Sequence, residues 1–213
     1  EGHYIGNDNR SHAVRLKECY PYKYSEHINR VGNMLEWDFN EEHNEAIESF
    51  NVGYDKLMQC QKSNYIVHAF DKFYENNTAY IVMDANDGVT FDKDDSMSLR
   101  EILTTVKLLA HVVREYHKIG YVHLDIKPAN FLVYPRPSEH IVLFDCDSIT
   151  AINDIKSGKV KSIPYSKEWA SPEQIQGRIN KERPESADIY SIGAILFQKV
   201  MGRVVENEDI GIF

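Results

Sequence analysis

The chain has 213 residues, with 24 Lys and Arg against 33 Asp and Glu, a formal net charge of -9 and 42% hydrophobic residues. That acidic balance argues against a general nucleic-acid binder, which presents a basic face to phosphate, and no apolar run approaches the roughly 18 residues of a membrane span. Cys19, Cys60 and Cys146 show no CxxC spacing and the nine histidines are scattered, which excludes a disulfide framework or zinc site as the organising feature and leaves a cytoplasmic setting as the expectation.

In chain order, His3 to Gly6 reads as a short strand and His12 to Glu18 as a second one carrying Val14 and Leu16. Asn40 is placed to cap a helix with acids in its first turn and Ile47, Phe50, Tyr54 and Leu57 at helical spacing. Tyr65 to Phe70 and Thr78 to Met83 flank Asn76-Asn77, the composition of a β-hairpin whose turn tolerates positive φ. Asp84 to Gly88 breaks that pattern. Ser98-Leu99-Arg100-Glu101 has the form of a capping box, and the apolar positions from Ile102 to Tyr116 predict a long buried helix ended by Gly120. Val133 and Ile141 bracket a proline-stiffened hairpin tip. The lysines 156, 159, 161 and 167 read as a solvated loop. Ser171, with Pro172 and Gln174, starts a further helix, and another runs from Ala187 to Met201. No repeat or low-complexity tract divides the chain.

The most informative string is His123-Leu124-Asp125-Ile126-Lys127-Pro128-Ala129-Asn130. It places an acid, a cation and an amide at a spacing suited to phosphoryl transfer, in which the protein's contribution is positioning and charge compensation. Downstream, Ile141 to Leu143 is an apolar strand that delivers Asp145. Trp169-Ala170-Ser171-Pro172-Glu173 and Ala187-Asp188-Ile189-Tyr190-Ser191-Ile192-Gly193 follow.

These four segments, in this order, resemble the catalytic loop, the DFG element, the APE element and the DxWSxG helix start of bacterial-type serine/threonine protein kinases. The resemblance implies an α+β, bilobal fold with a small antiparallel β lobe carrying one helix and a mainly helical second lobe, truncated at both ends. It assigns residues 1–83 to the first lobe, 84–88 to the hinge and 89–213 to the second lobe. It further implies ATP and Mg2+ as cofactors and a protein substrate with a Ser or Thr acceptor, with neither nucleic acid nor a membrane span involved.

Residue by residue, the resemblance makes Asp125 the group that aligns the acceptor hydroxyl and Lys127 the contact to the transferred phosphate. Asn130 and Asp145 become the metal ligands, and Met83 the gatekeeper, with Asp84, Ala85 and Asn86 meeting adenine. Two registers compete for the nucleotide-anchoring cation: Val14-Arg15-Leu16-Lys17, which ends on Lys17, and Ala13-Val14-Arg15, which puts Arg15 at that site. Lys17-Glu18-Cys19-Tyr20-Pro21 favours Lys17, at the cost of Arg15 where a small residue usually covers adenine. The usual Glu partner is unassigned: its slot falls on Tyr54, with Asp55 and Glu48 as neighbours. Leu124 stands where the family has Arg, so activity is expected not to require phosphorylation of Ser148, Thr150, Ser157, Ser162 or Ser166; strict loss of activity on phosphatase treatment would contradict this. The glycine-rich loop is not visible. A pseudokinase acting as a nucleotide-binding or protein-interaction module is the alternative, supported by Leu124 and Asp147 and opposed by Asp125, Lys127, Asn130 and Asp145.

Overall fold

A computed structural model describes residues 2–5, 10–60, 65–85, 87–93, 96–134, 140–145, 148–160 and 165–210. The protein divides into two units, residues 1–86 and 87–213, so the division falls inside the 84–88 stretch where the strand pattern breaks.

The first unit is built on an antiparallel sheet in the order β1-β2-β6-β5, from β1 (Gly2–Ile5), β2 (Ser11–Glu18), β5 (Ala69–Glu75) and β6 (Thr78–Asp84). Asn76 and Asn77 both take positive φ, 54° and 58°, the twist that a two-residue hairpin turn requires and that asparagine tolerates. The first strand of this hairpin begins at Ala69, later than the sequence pattern suggests, and the ladder shifts register between Ala69 and Asp71. The preceding Ile66 and Val67 are buried; their continuous apolar character reflects core packing, which hydrophobicity alone does not distinguish from a strand. The helix α1 (Asn40–Cys60) buries Ala46, Leu57 and Cys60 and carries Glu41 and Glu42 in its first turn, where the partial positive charge of the helix start favours acids.

Between β2 and α1 lies an element that the sequence pattern left unassigned. A 3-10 helix (Tyr22–His27) leads into the hairpin β3 (Ile28–Val31) and β4 (Met34–Trp37). Leu35 is fully buried. Its N–H donates to the Asn76 carbonyl at 2.9 Å and its carbonyl accepts from Asn77 Nδ2 at 2.9 Å, so the insertion is laced to the β5–β6 turn. Cys19, Ala46 and Ala79 form a small core on which Tyr24, Trp37, Ile47 and Phe50 pack, joining sheet, helix and insertion.

The second unit contains β7 (Val89–Thr90), α2 (Leu99–Lys118), β8 (Tyr121–Val122), β9 (Phe131–Val133), β10 (Ile141–Leu143), β11 (Thr150–Ala151), α3 (Ile152–Lys156), α4 (Pro172–Ile175), α5 (Glu185–Met201) and α6 (Asn207–Ile210). The capping box of α2 forms in both directions between Ser98 and Glu101. Gly120, at φ 87°, follows its end. The short strands pair as β10-β9-β7 and β11-β8. Gly88 approaches β9 so closely that a Cβ there would lie 2.8 Å from Leu132 Cβ. Tyr116, Leu109, Phe91, Phe131 and Ile195 fill the interior, each less than 2% exposed. Among the described residues no helix is long and apolar enough to cross a membrane.

Candidate active site

The loop that carries the central string is fixed at both ends. β8 pairs with β11 at its start, and a 3-10 turn at Pro128–Asn130 closes it before β9. Its middle is held from below by Asp188, fully buried near the start of α5. Asp188 Oδ2 accepts from the His123 N–H at 2.9 Å and from His117 Nε2 at 2.8 Å, and Oδ1 accepts from the Leu124 N–H at 2.7 Å. Leu124 has φ 66°, a conformation that costs a side-chain-bearing residue about 1–2 kcal/mol. Hydrogen bonds to a carboxylate are stronger than neutral ones and offset that cost. The Leu124 carbonyl accepts from Gln174 Nε2 at 2.6 Å, so both polar groups of this peptide unit are tied down.

The Leu124 side chain sits in an apolar cluster with Val122, Ile152, Ile155 and Ala187. Where the family has an Arg, this loop reaches the 150–156 segment through apolar contact. His123 is fully buried, and its Nδ1 accepts from the Asp125 N–H at 3.4 Å. Nε2 has no partner among the described residues.

Asp125 and Lys127 project from this frame as an ion pair, Nζ to Oδ2 at 2.9 Å, with side-chain exposures of 13% and 26%. A third residue completes the group. Lys127 Nζ donates to Ser166 Oγ at 2.8 Å, and the Ser166 N–H donates to Asp125 Oδ1 at 2.8 Å. The sequence marks Ser166 only as one of five hydroxyls whose phosphorylation is not expected to be needed for activity. Its place beside Asp125 is set by the turn at Lys167–Trp169 and by the amide of Ala170 on the Ser166 carbonyl, a contact 41 residues away in sequence that no local pattern announces.

Asn130 precedes β9 and Asp145 follows β10. Since Leu143 faces Phe131 in the antiparallel ladder and the Phe144 N–H donates to the Asn130 carbonyl at 3.2 Å, both side chains emerge at the same end of one hairpin. Asn130 Nδ2 donates to the Asp125 carbonyl at 3.0 Å, and its amide oxygen takes no part in that bond. One carboxylate and one amide oxygen are hard donors that suit Mg2+, which keeps several waters and binds phosphate oxygens. No cluster of three or more His, Cys, Asp or Glu able to hold a metal occurs among the described residues, and the pair does not require one. Cys146, Asp147 and Ser162 lie outside the described residues.

In the first unit, Lys17 faces Ile81 and Arg15 faces Met83 across the β2–β6 ladder. Residues directly opposite share a sheet face, so Arg15, Lys17, Ile81 and Met83 are on one side. Lys72 on β5 also faces Ile81 and joins that side. It reaches α1: its Nζ lies 3.0 Å from Asn51 Oδ1, 3.8 Å from Asp55 Oδ1 and 4.8 Å from the centre of the Tyr54 ring. Burial, with Asp71 and Asp55 nearby, pushes the Tyr54 phenol up from its ordinary value. Asp55, one of the two acids considered for Lys17, thus meets Lys72. A lysine in strand register with Lys17 was the available signal for this contact. Among the expected hinge residues, the Asp84 N–H donates to the His68 carbonyl at 2.8 Å and the Ala85 N–H to the Ala13 carbonyl at 3.1 Å. Asn86 lies outside the described residues.

Residues 40–210 match the protein kinase domain model. The chain belongs to the protein kinase domain family. Serine/threonine-protein kinase PrkC of Bacillus subtilis is 27% identical over 175 residues, which is 80% of this chain and 26% of PrkC. A probable serine/threonine-protein kinase of Clostridium acetobutylicum is 30% identical over 148 residues, 68% of this chain and 22% of that protein. This kinase-family chain therefore spans about a quarter of the length of these curated relatives. Among solved structures, the twitchin kinase region of C. elegans aligns over 78% of this chain and 30% of its own with a TM-score of 0.65 and 22% identity, a likeness of fold. The bilobal architecture expected of a kinase is the architecture found.

Proposed function

We propose that this protein transfers the γ-phosphate of ATP to a serine or threonine hydroxyl of a protein substrate. The observation that carries the reading is the Asp125–Lys127–Ser166 group: a carboxylate and an ammonium 2.9 Å apart, with a serine hydroxyl on the ammonium at 2.8 Å. That arrangement is suited to receive a hydroxyl beside a cation. Asp125 orients the acceptor O–H and takes its proton, while the acceptor oxygen forms a bond to the γ-phosphorus and the bond from phosphorus to the bridging oxygen of ADP breaks. Lys127 places positive charge beside the moving phosphoryl group.

Asn130 and Asp145 are the positions for Mg2+, which when bound with ATP neutralises charge on the phosphate oxygens. In the first unit, Lys17 is the proposed phosphate anchor, and Met83, Asp84 and Asn86 the adenine-facing stretch. Names of relatives in Bacillus and Clostridium support a serine/threonine acceptor, and the cytoplasm is the proposed location. The alternative, a binding module without transfer, draws on Leu124, which stands where the family has Arg.

The test is Mg2+-dependent transfer of labelled phosphate by the full-length protein and by Asp125→Asn. Transfer by the first and its loss by a factor of at least about 100 in the second is expected; equal signal ends the proposal. Nucleotide-induced thermal stabilisation with no transfer would select the binding module.

A further inference from the structure

Within the first unit, α1 and the β5–β6 hairpin bound a groove of about 540 Å³. On the helix side it is lined by residues three and four apart, among them Ile47, Glu48, Asn51, Val52 and Asp55, which therefore share one face. Tyr74 and Glu75 line it from β5. The frame is fixed from behind. Ile47 packs on the core of Cys19, Ala46 and Ala79. Asn51 Oδ1 accepts from the Tyr74 hydroxyl at 2.7 Å, and the buried Thr78 donates through Oγ1 to the Cys19 carbonyl at 2.8 Å. Val52 and Tyr74 nevertheless face water, at 46% and 58% exposure.

The charge of the lining is one-sided. It holds three acids, Glu48, Asp55 and Glu75, and no Lys or Arg. Its one histidine, His43, packs its ring 5.1 Å from that of Trp37. Lys72 approaches Asp55 to 3.8 Å and Lys56 follows Asp55 in sequence, so Asp55 is offset. Glu48 and Glu75 are exposed, and neither has a hydrogen-bond or ion-pair partner among the described residues.

We propose that this groove docks a basic segment of a partner protein, one in which an apolar or aromatic side chain is flanked by Lys or Arg. The apolar side chain covers Val52 and Tyr74, and the flanking cations meet Glu48 and Glu75. Exposed charges of this kind act on the choice of partner more than on raw affinity. A second copy of the same face is a poor occupant. Its α1 carries Glu41, Glu42, Glu45, Glu48 and Asp55 against a single lysine, Lys56, so two such faces repel.

Docking here is independent of phosphate transfer, so the peptides that test it lack Ser and Thr and cannot serve as acceptors. Fluorescein-labelled peptides carrying one Phe flanked by Lys, Gln or Glu are titrated with the full-length protein and followed by anisotropy. The Lys peptide is expected to bind about threefold to tenfold tighter than the Glu peptide, the scale set by two exposed charge pairs, and the gap is expected to narrow as salt is added. Glu48→Lys together with Glu75→Lys, both at exposed positions, is expected to remove or invert the order. Val52→Ser is expected to weaken all three peptides alike and keep the order. Equal affinities in the wild type, an order that survives the double charge reversal, or affinities untouched by Val52→Ser would overturn the proposal. So would self-association of the wild type that the double reversal releases, which would make the occupant a second copy.

Discussion

The two units secure their central helices by different means. In the first, α1 is tied by contacts that water can reach: Lys23 Nζ to Glu45 at 2.7 Å, the Tyr24 hydroxyl to Glu45 at 2.6 Å, His27 Nδ1 to Glu42 at 2.8 Å, and Asn51 Oδ1 to Lys72 and Tyr74. In the second, the ties of α5 to the catalytic loop run through the fully buried Asp188, and those of α4 through the buried Gln174. Exposed pairs contribute roughly 0–1 kcal/mol, whereas breaking a buried charged network leaves several donors unsatisfied. α1 is therefore the more easily shifted helix, and the loop bearing Asp125 is the more rigid element.

The sharpest way to break this contrast is Asp188→Ala. It strips the acceptor from His117, His123 and Leu124, and a loss of about 3–5 kcal/mol in denaturant unfolding is expected; a loss under about 1 kcal/mol would place Asp188 in the same class as the exposed ties of α1. Leu35→Ala tests whether the inserted hairpin belongs to the core of the first unit. A buried leucine truncated to alanine costs about 2–5 kcal/mol, and a near-neutral result would make the hairpin an appendage. For Ser166→Ala the expected effect is on rate, a fall in kcat on the order of tenfold with KM little changed, restored by Ser166→Thr; unchanged kcat would remove Ser166 from the positioning group. Ser98→Ala removes the cap of α2 and should cost about 1 kcal/mol.

The smallest expected effect concerns pH and applies to both units. Arg203, with the Glu206 N–H, holds the Asp209 carboxyl down at about 2, and Lys23 holds Glu45 below its ordinary value. Carboxylates depressed by folding contribute stability above the unfolded value of about 4 and lose it as pH falls through the folded one. A shallow decline from about pH 4 to about pH 2 is expected, flattened by Arg203→Met together with Lys23→Met and by added salt. An undiminished slope in the double variant would assign it to other acids.

What the sequence made legible follows the same divide. In the second unit the Ser98 capping box, the hairpin around 133 and 141 and the acid after Leu143 all stand where local chemistry puts them. Asp125, Lys127 and Asn130 are three residues of one loop, and their proximity is inherent in their spacing. Ser166 was not legible because its relation to Asp125 is made by the tertiary fold. In the first unit the hairpin of β3 and β4 escaped because each four-residue strand has a single buried residue, Ile28 and Leu35. The Gly32-Asn33 pair between them was the cue available, being a turn dipeptide flanked by short mixed runs. Lys72 escaped because strand register, which places it beside Ile81 with Lys17, is fixed by a bulge that no residue type declares.

Leu124 carries one consequence further. An ionic link between this loop and the 150–156 segment would weaken with salt and change with phosphorylation. Burial among Val122, Ile152 and Ile155 substitutes a contact driven by the release of water, which is not screened as an ion pair is and loses strength on cooling. That contact, a part of the attachment that weakens on cooling, adds to the pairing of β8 with β11, which holds the same segment by backbone hydrogen bonds.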